Sequence, residues 1–342
     1  MRHPRARDID PEVLAGVPGI ASTLDAAEVA SMTVEGIPAF RDRVAAWLAT
    51  VPPPEAVPDV TATIERLVLA DGFRLRLAVY RPTRAFGPLP ALFHIHGGGM
   101  ISGSIDTERA AMAALAAAIG GIVVSVDYRL APEHPHPIPV EDCYAGLAWT
   151  AGQAGRLGID PARLVIGGES AGGGLAAATA LLARDRGGPA LRFQYLVYPM
   201  LDDRNESSSA LEFGADWPIW PREMNVVGWR ALLGDRAGGA DVSPYAAPGR
   251  AGDLAGLPPA YIDCGDLEVF RDECIDYARR LAGAGSVVEL HIWPGVFHGW
   301  EGVAPEAAVT RQATAARLAA LRRALHGPAP SPAASFAKGG TW

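Results

Sequence analysis

The stretch Gly168-Glu169-Ser170-Ala171-Gly172 constrains this chain more than any other. It reads G-x-S-x-G. An apolar run, Leu164-Val165-Ile166, leads into it, and a small-residue helical run, Ala171 to Ala183, follows. That order is a strand, a sharp turn and a helix. So tight a turn holds Ser170 in a strained backbone conformation, and glycines two positions away on either side remove the side chains that would collide. The Ser170 hydroxyl is then lifted above the sheet edge, and the next backbone N–H, that of Ala171, aims at any oxyanion formed there. Taken alone, the pattern also fits a glycine-rich turn with an incidental serine, because G-x-S-x-G recurs by chance. The remainder of the chain has to decide.

Around this turn, strands and helices alternate. Thr63 to Leu69 and Phe73 to Tyr80 alternate about Asp71-Gly72, a hairpin signal. Strands are then expected at Ala91–His96, Ile122–Val126, Leu164–Gly167, Phe193–Tyr198, Ala260–Cys264 and Val287–Ile292. Helices are expected between and after them, at 109–119, 140–151, 171–183, 272–284 and 304–325. Continuous apolar strands separated by helices imply an α/β fold: a mostly parallel sheet flanked by helices on both faces, with the first hairpin as an antiparallel edge.

Two regions break the rhythm. Residues 1–55 read as helical pieces, at 25–30 and 39–49, closed by Pro52-Pro53-Pro54. Asp202 to Asp241 separates two strands by far more than a crossover needs, and holds Trp217, Trp220 and Trp229 with a helical run from Arg222 to Leu233. Ligands bind over the strand C-termini of open α/β sheets, so both regions are expected to form a helical cap there. The domain reading is thus a cap from residues 1–55 and about 202–241, on a catalytic domain spanning 56–325. The Pro-, Ala-, Ser- and Gly-rich tail, 326–342, is expected to be disordered.

Charge and cysteine content remove several function classes. The net charge of −8 repels nucleic-acid phosphates, and no Lys/Arg run offsets it. Cys143, Cys264 and Cys274 are odd in number and lack C-x-x-C spacing, which argues against a disulfide framework or a zinc site. The polar first ten residues carry no signal-peptide core, and no apolar run is long enough to span a membrane. The expectation is a soluble, cytoplasmic protein. Two H-x-H pairs, His94/His96 and His134/His136, lack a third ligand in pattern, so no metal is expected.

A nucleophilic serine needs oxyanion donors, a base and an orienter for the base. His96-Gly97-Gly98-Gly99 follows a strand, and its glycines let backbone N–H groups turn toward a ligand. Gly98, Gly99 and Ala171 are the expected donors. A phosphate loop would continue with Lys-Ser or Lys-Thr, and a dinucleotide loop would read G-x-G-x-x-G; neither does. His298, in a Gly-rich loop past the last strand, is the expected base. The orienter falls among Asp263, Asp266, Glu268, Asp272 and Glu273, and composition cannot choose between them; those not used for it would complement the following helix dipole.

Together these residues resemble the hormone-sensitive-lipase-like branch of the α/β-hydrolases, the bacterial family IV esterases. His96-Gly97-Gly98-Gly99 matches its H-G-G-G motif, Gly168 to Gly173 its G-[DTE]-S-A-G-G turn, and Asp127-Tyr128-Arg129-Leu130-Ala131-Pro132-Glu133 its D-Y-R-L-A-P-E segment. The order Ser170, acid, His298 is also that of the fold. The family usually shows D-P-L-R-D-E with its first Asp catalytic. Here Glu268-Val269-Phe270-Arg271-Asp272-Glu273 takes that place, so the resemblance puts Glu268 on the catalytic position, with Asp266 as the fallback.

The resemblance implies a serine carboxylesterase acting on small esters with short or medium acyl chains, without metal or cofactor. It also implies a homodimer through the edge strand near the C-terminus. Trp217, Trp220 and Trp300 are candidate linings of the acyl or alcohol pocket. Two other functions fit the same fold: an amide- or drug-cleaving hydrolase with the same triad, and a small-molecule receptor that binds without turnover. His298 speaks against the receptor.

Overall fold

The computed structural model describes residues 3–17, 25–48 and 57–328. Eight strands form one sheet in the order β1-β2-β4-β3-β5-β6-β7-β8. They are β1 (Val60–Val68), β2 (Arg74–Pro82), β3 (Leu89–Ile95), β4 (Ile122–Asp127), β5 (Ile159–Glu169), β6 (Phe193–Val197), β7 (Ala260–Gly265) and β8 (Val288–Trp293). β2 pairs antiparallel with β1 and with β4, and every other pairing is parallel. The hairpin is therefore an antiparallel edge, as its alternation predicts, and the central strands β3, β4 and β6 are buried along nearly their whole length.

The helices are α1 (Pro11–Gly16), α2 (Ala26–Ala30), α3 (Ile37–Leu48), α4 (Arg109–Ile119), α5 (Ile138–Gly152), α6 (Ala154–Leu157), α7 (Ala171–Asp185), α8 (Ser208–Glu212), α9 (Arg222–Leu233), α10 (Arg271–Gly283), α11 (Trp300–Val303) and α12 (Ala308–His326). Successive side chains of a strand point to opposite faces. On β3, Phe93 lies under Gly146 of α5 while His94 faces Glu108 at the start of α4. The sheet is thus covered on both sides, with α4 and α12 packed together on one face and α5 and α7 on the other. α7, the helix behind Ser170, is buried from Ala171 to Ala183, which explains its run of small residues: it lies too close to the sheet for larger ones.

The last helix departs from its expected start. It begins at Ala308, not 304, and the short α11 precedes it. Pro305 disfavours a helical conformation at Ala304, which sits at φ −137°, ψ 68°. The Pro52–Pro54 stop and most of the expected tail disorder lie outside the described residues.

Above the strand C-termini, the N-terminal elements and the segment between β6 and β7 meet. The His3 ring packs on Phe213 and Trp217 next to α8, and its Nε2 lies 2.9 Å from the Glu212 carbonyl. α2 contacts α9, and α1 contacts α11. Arg41 of α3 donates to the carbonyls of Ile101 (2.6 Å) and Ala131 (2.7 Å) and forms a two-pronged pair with Glu133. No helix among the described residues is long and apolar enough to cross a membrane.

Candidate active site

Ser170 sits at φ 57°, ψ −123°, between the end of β5 and the start of α7. Few non-glycine residues adopt this region, so the surroundings must impose it. A Cβ on Gly168 would stand 2.2 Å from the Ile95 carbonyl oxygen, and one on Gly172 would stand 2.0 Å from the same atom. The two glycines therefore let the turn close against the end of β3. The Ser170 N–H donates to the Val197 carbonyl at 2.9 Å, and its own carbonyl accepts from Met200 N–H at 3.0 Å.

The Ser170 hydroxyl donates to His298 Nε2 at 2.9 Å. His298 Nδ1–H, on the far side of the ring, donates to Glu268 Oε1. All three residues are buried, Glu268 completely. Asp266 is turned elsewhere: its Oδ1 accepts the Gly295 N–H at 2.7 Å, its Oδ2 lies 3.5 Å from Arg5, and burial pushes its carboxyl up. Such a chain of groups can take a proton from a serine hydroxyl and stabilise the resulting imidazolium.

The glycine turn is built with its donors free. Gly97 O accepts from His96 Nδ1–H at 2.8 Å, and Gly98 O accepts from the Ile101 and Ser102 N–H groups and the Ser102 hydroxyl. A planar trans peptide points its N–H away from its C=O, so pinning these carbonyls aims the Gly98 and Gly99 N–H groups to the other side. Neither these nor the Ala171 N–H donates a hydrogen bond among the described residues. Burial pushes the His96 imidazole down to about 4, so it is neutral and carries its proton on Nδ1. The ring stacks on Tyr128 at 4.2 Å, and the Tyr128 hydroxyl donates to the His96 carbonyl. The D-Y-R-L-A-P-E segment thus supports the turn from beneath.

Of the three candidate pocket tryptophans, only Trp220 stands at this turn. A Cβ on Gly99, which has φ +63°, would overlap the Trp220 ring at 2.1 Å. The other two are held by packing contacts around it. Trp217 is packed against Phe213 and His3 and donates its indole N–H to the Leu267 carbonyl. Trp300 has no exposed surface and lies against Tyr198 with the Arg317 guanidinium over its ring. These contacts account for where the two rings sit.

Sequence reasoning missed Tyr198. Its ring meets His298 edge-on at 4.6 Å, and its hydroxyl donates to Glu301 at 2.7 Å. Burial works against the Glu301 carboxylate, but the Arg317 guanidinium holds it below the usual range. Arg317 of α12 also bonds Asp263. Nothing local marks these residues, since each reaches the site from a different element. Among the described residues no three His, Cys, Asp or Glu side chains are grouped to hold a metal ion.

Comparison with known proteins gives the same frame. The family model described as alpha/beta hydrolase fold matches residues 92–302. The chain is 40% identical over 316 residues to Carboxylesterase NlhH of Mycobacterium tuberculosis, covering 90% of this chain and 96% of that protein. It is 43% identical over 242 residues to Esterase LipI of the same species, covering 70% and 74%. Among solved structures, a bacterial heroin esterase superposes with a TM-score of 0.86 at 39% identity, covering 93% of this chain and 98% of the other. Esterase LipW from Mycobacterium marinum gives 0.78 at 36% identity, covering 95% and 98%. The sheet order, the glycine turns and these likenesses lead to one assignment: the chain belongs to the alpha/beta hydrolase fold family, in its hormone-sensitive-lipase-like esterase branch.

Proposed function

We propose that this carboxylic ester hydrolase is a serine carboxylesterase for small esters with short or medium acyl chains. Ser170 is the nucleophile, His298 the base and Glu268 the orienter of the base. The carrying observation is the unbroken hydrogen-bond chain from Glu268 through His298 to Ser170. His298 takes the hydroxyl proton as Ser170 attacks the ester carbonyl. The oxyanion rests on the N–H groups of Gly98, Gly99 and Ala171; one such donor is typically worth ~2.7–4 kcal/mol. The protonated His298 gives its proton to the leaving alcohol, and water repeats the sequence to free the acid. The names of the relatives support an ester, and the tight approach of Trp220 to Gly99 supports a small acyl group. The N-terminal helices and the 202–241 segment act as the cap, and β8, the free edge of the sheet, is the expected dimer contact.

The test is a panel of p-nitrophenyl esters of increasing chain length, run beside acyl amides. Ser170→Ala should lower kcat by ~10³-fold or more. Glu268→Ala should be far more damaging than Asp266→Ala. Near-normal turnover in Ser170→Ala removes the mechanism, and a reversed ranking of the two acids removes Glu268 from it.

A further inference from the structure

The strongest unassigned feature is an ionic cluster behind the glycine turn, a fully buried imidazole between two carboxylates that are each about a quarter exposed. His94 stands on β3 with no exposed surface. It lies opposite Gly167 of β5, so Glu169, two positions on, shares its face of the sheet. His94 Nε2 meets Glu169 Oε2 at 2.7 Å, while Nδ1 lies 3.4 Å from Ser125 Oγ and 3.5 Å from Glu108 Oε2. Burial alone would push this imidazole down, but the Glu169 and Glu108 carboxylates outweigh it and push it up to about 9. A protonated ring is thus held between two carboxylates.

Each partner belongs to a segment whose placement matters. Glu169 precedes Ser170 directly. Glu108 ends the loop that leaves the sheet after β3 and carries Gly98 and Gly99, and its Oε2 stands 3.5 Å from His94 Nδ1. We propose that His94, Glu108 and Glu169 are positioning residues that lock the oxyanion turn in register with Ser170, a role that rests on the esterase reading above. None of them touches a reacting atom. The cluster bridges two pieces of chain that the sheet alone does not clamp, and small errors in that register are costly to a rate.

Glu108 makes the lock titratable. Burial pushes its carboxyl up to about 7, against the opposing pull of His94 and the Gly97 N–H. Glu169 faces it from the end of β5, Tyr80 from β2 and Tyr128 from beyond β4; both phenols are pushed up by burial and stay neutral. Above about pH 7 the carboxylate faces the imidazolium as an opposite charge 3.5 Å away. Below it the proton removes that charge, so activity falls on the acid side as Glu108 is protonated.

The experiment compares wild type with Glu108→Gln and His94→Gln on p-nitrophenyl acetate, recording kcat, KM, melting temperature and the pH profile of kcat/KM. Glu108→Gln should lower kcat by roughly 10- to 100-fold with KM little changed. Its acid limb should lose one ionisation. Glu108→Asp, which restores a carboxylate, should recover that ionisation. Wild-type kcat and an unchanged acid limb in Glu108→Gln overturn the proposal, as does a variant that loses only melting temperature. Should His94→Gln fail to fold, the Glu108 pair still decides. Ser170→Ala run alongside separates the levels: if it is inactive while Glu108→Gln behaves as wild type, the lock fails and the esterase mechanism stands.

Discussion

The turn that carries Ser170 and the cover above it are held by different physics. Around the turn, backbone touches backbone. Gly168 and Gly172 bring α7 and the end of β3 together at distances no side chain permits, and the whole face of α7 from Ala171 to Ala183 is buried. The cover is held by side chains reaching across. The Trp220 indole N–H donates to Asn225, Asn225 to Asn205, and Asn205 to the Asp203 carbonyl. The Asp203 carboxylate, fully buried, is gripped by Arg250 and by the Gly238 N–H. Steric fits of the first kind have no partial form. Polar chains of the second kind lose function in steps. Substitutions in the two regions should therefore differ in size and also in shape.

The largest effect belongs to the turn. Gly172→Ala puts a methyl group 2.0 Å from the Ile95 oxygen and 2.5 Å from the His96 oxygen, and neither backbone atom can move without opening the sheet. The expected loss exceeds ~4 kcal/mol, enough to prevent folding. Gly152→Ala is the control: it ends α5 with nothing within 4 Å of the new atom and should stabilise by up to ~1 kcal/mol. Thermal melts of the two proteins check the contrast. A folded, active Gly172→Ala would mean that the turn is not held by steric fit.

The cover should respond more mildly. Asp203→Ala leaves the Arg250 guanidinium, which keeps some contact with water, without its partner, at a cost of about 3 kcal/mol. The protein should still fold, since the sheet does not depend on this pair. The Asp203 carbonyl at the far end of the Trp220 chain would remain but lose the carboxylate anchor of its segment, so kcat/KM should fall more than stability alone explains. Urea denaturation and ester kinetics on the same preparation measure both. Equal losses in Asp203→Ala and Gly172→Ala would dissolve the distinction between the regions.

That distinction also governs what could be read from the sequence. The order of strands and helices was legible because burial on both faces leaves continuous apolar strands, and helix bounds such as 109–119 and 222–233 follow from local pattern. The glycine turns were legible because steric constraints act within a few residues. Glu268 was placed by resemblance alone, since five acids crowd one loop and only the fold shows which faces His298. Residues whose meaning depends on distant partners were opaque. His94 reads as half of an H-x-H pair and Glu169 as the variable position of the serine turn until β3 and β5 pair. Trp217 and Trp300 read as pocket walls because aromatic side chains bury in any apolar setting, and sequence does not say which cavity they close. Arg41 gave no signal, being one arginine on a short helix.

Arg41 supplies the finest measure of the comparison, because it joins the two regions. It reaches from α3 in the cover to the Ile101 carbonyl, just past the Gly97–Gly99 turn, and to Ala131 and Glu133 in the segment beneath it. About a quarter of its side chain is exposed, and so is half of Glu133, so the charge pair itself contributes little in water. The two carbonyl bonds matter more, at about 1 kcal/mol each. Arg41→Met keeps the apolar stem and removes the fork. Melting temperature should drop by only a few degrees. The effect on turnover depends on which region Arg41 serves. If it merely fastens the cover, KM should rise about two- to five-fold with kcat unchanged, because binding is lost equally in the ground and transition states. If it also steadies the oxyanion turn through Ile101, kcat should fall as well. The position of its shortest bond, to Ile101 on the loop that carries Gly98 and Gly99, favours the second outcome, and an Arg41→Met enzyme with wild-type kcat would restrict the residue to the cover.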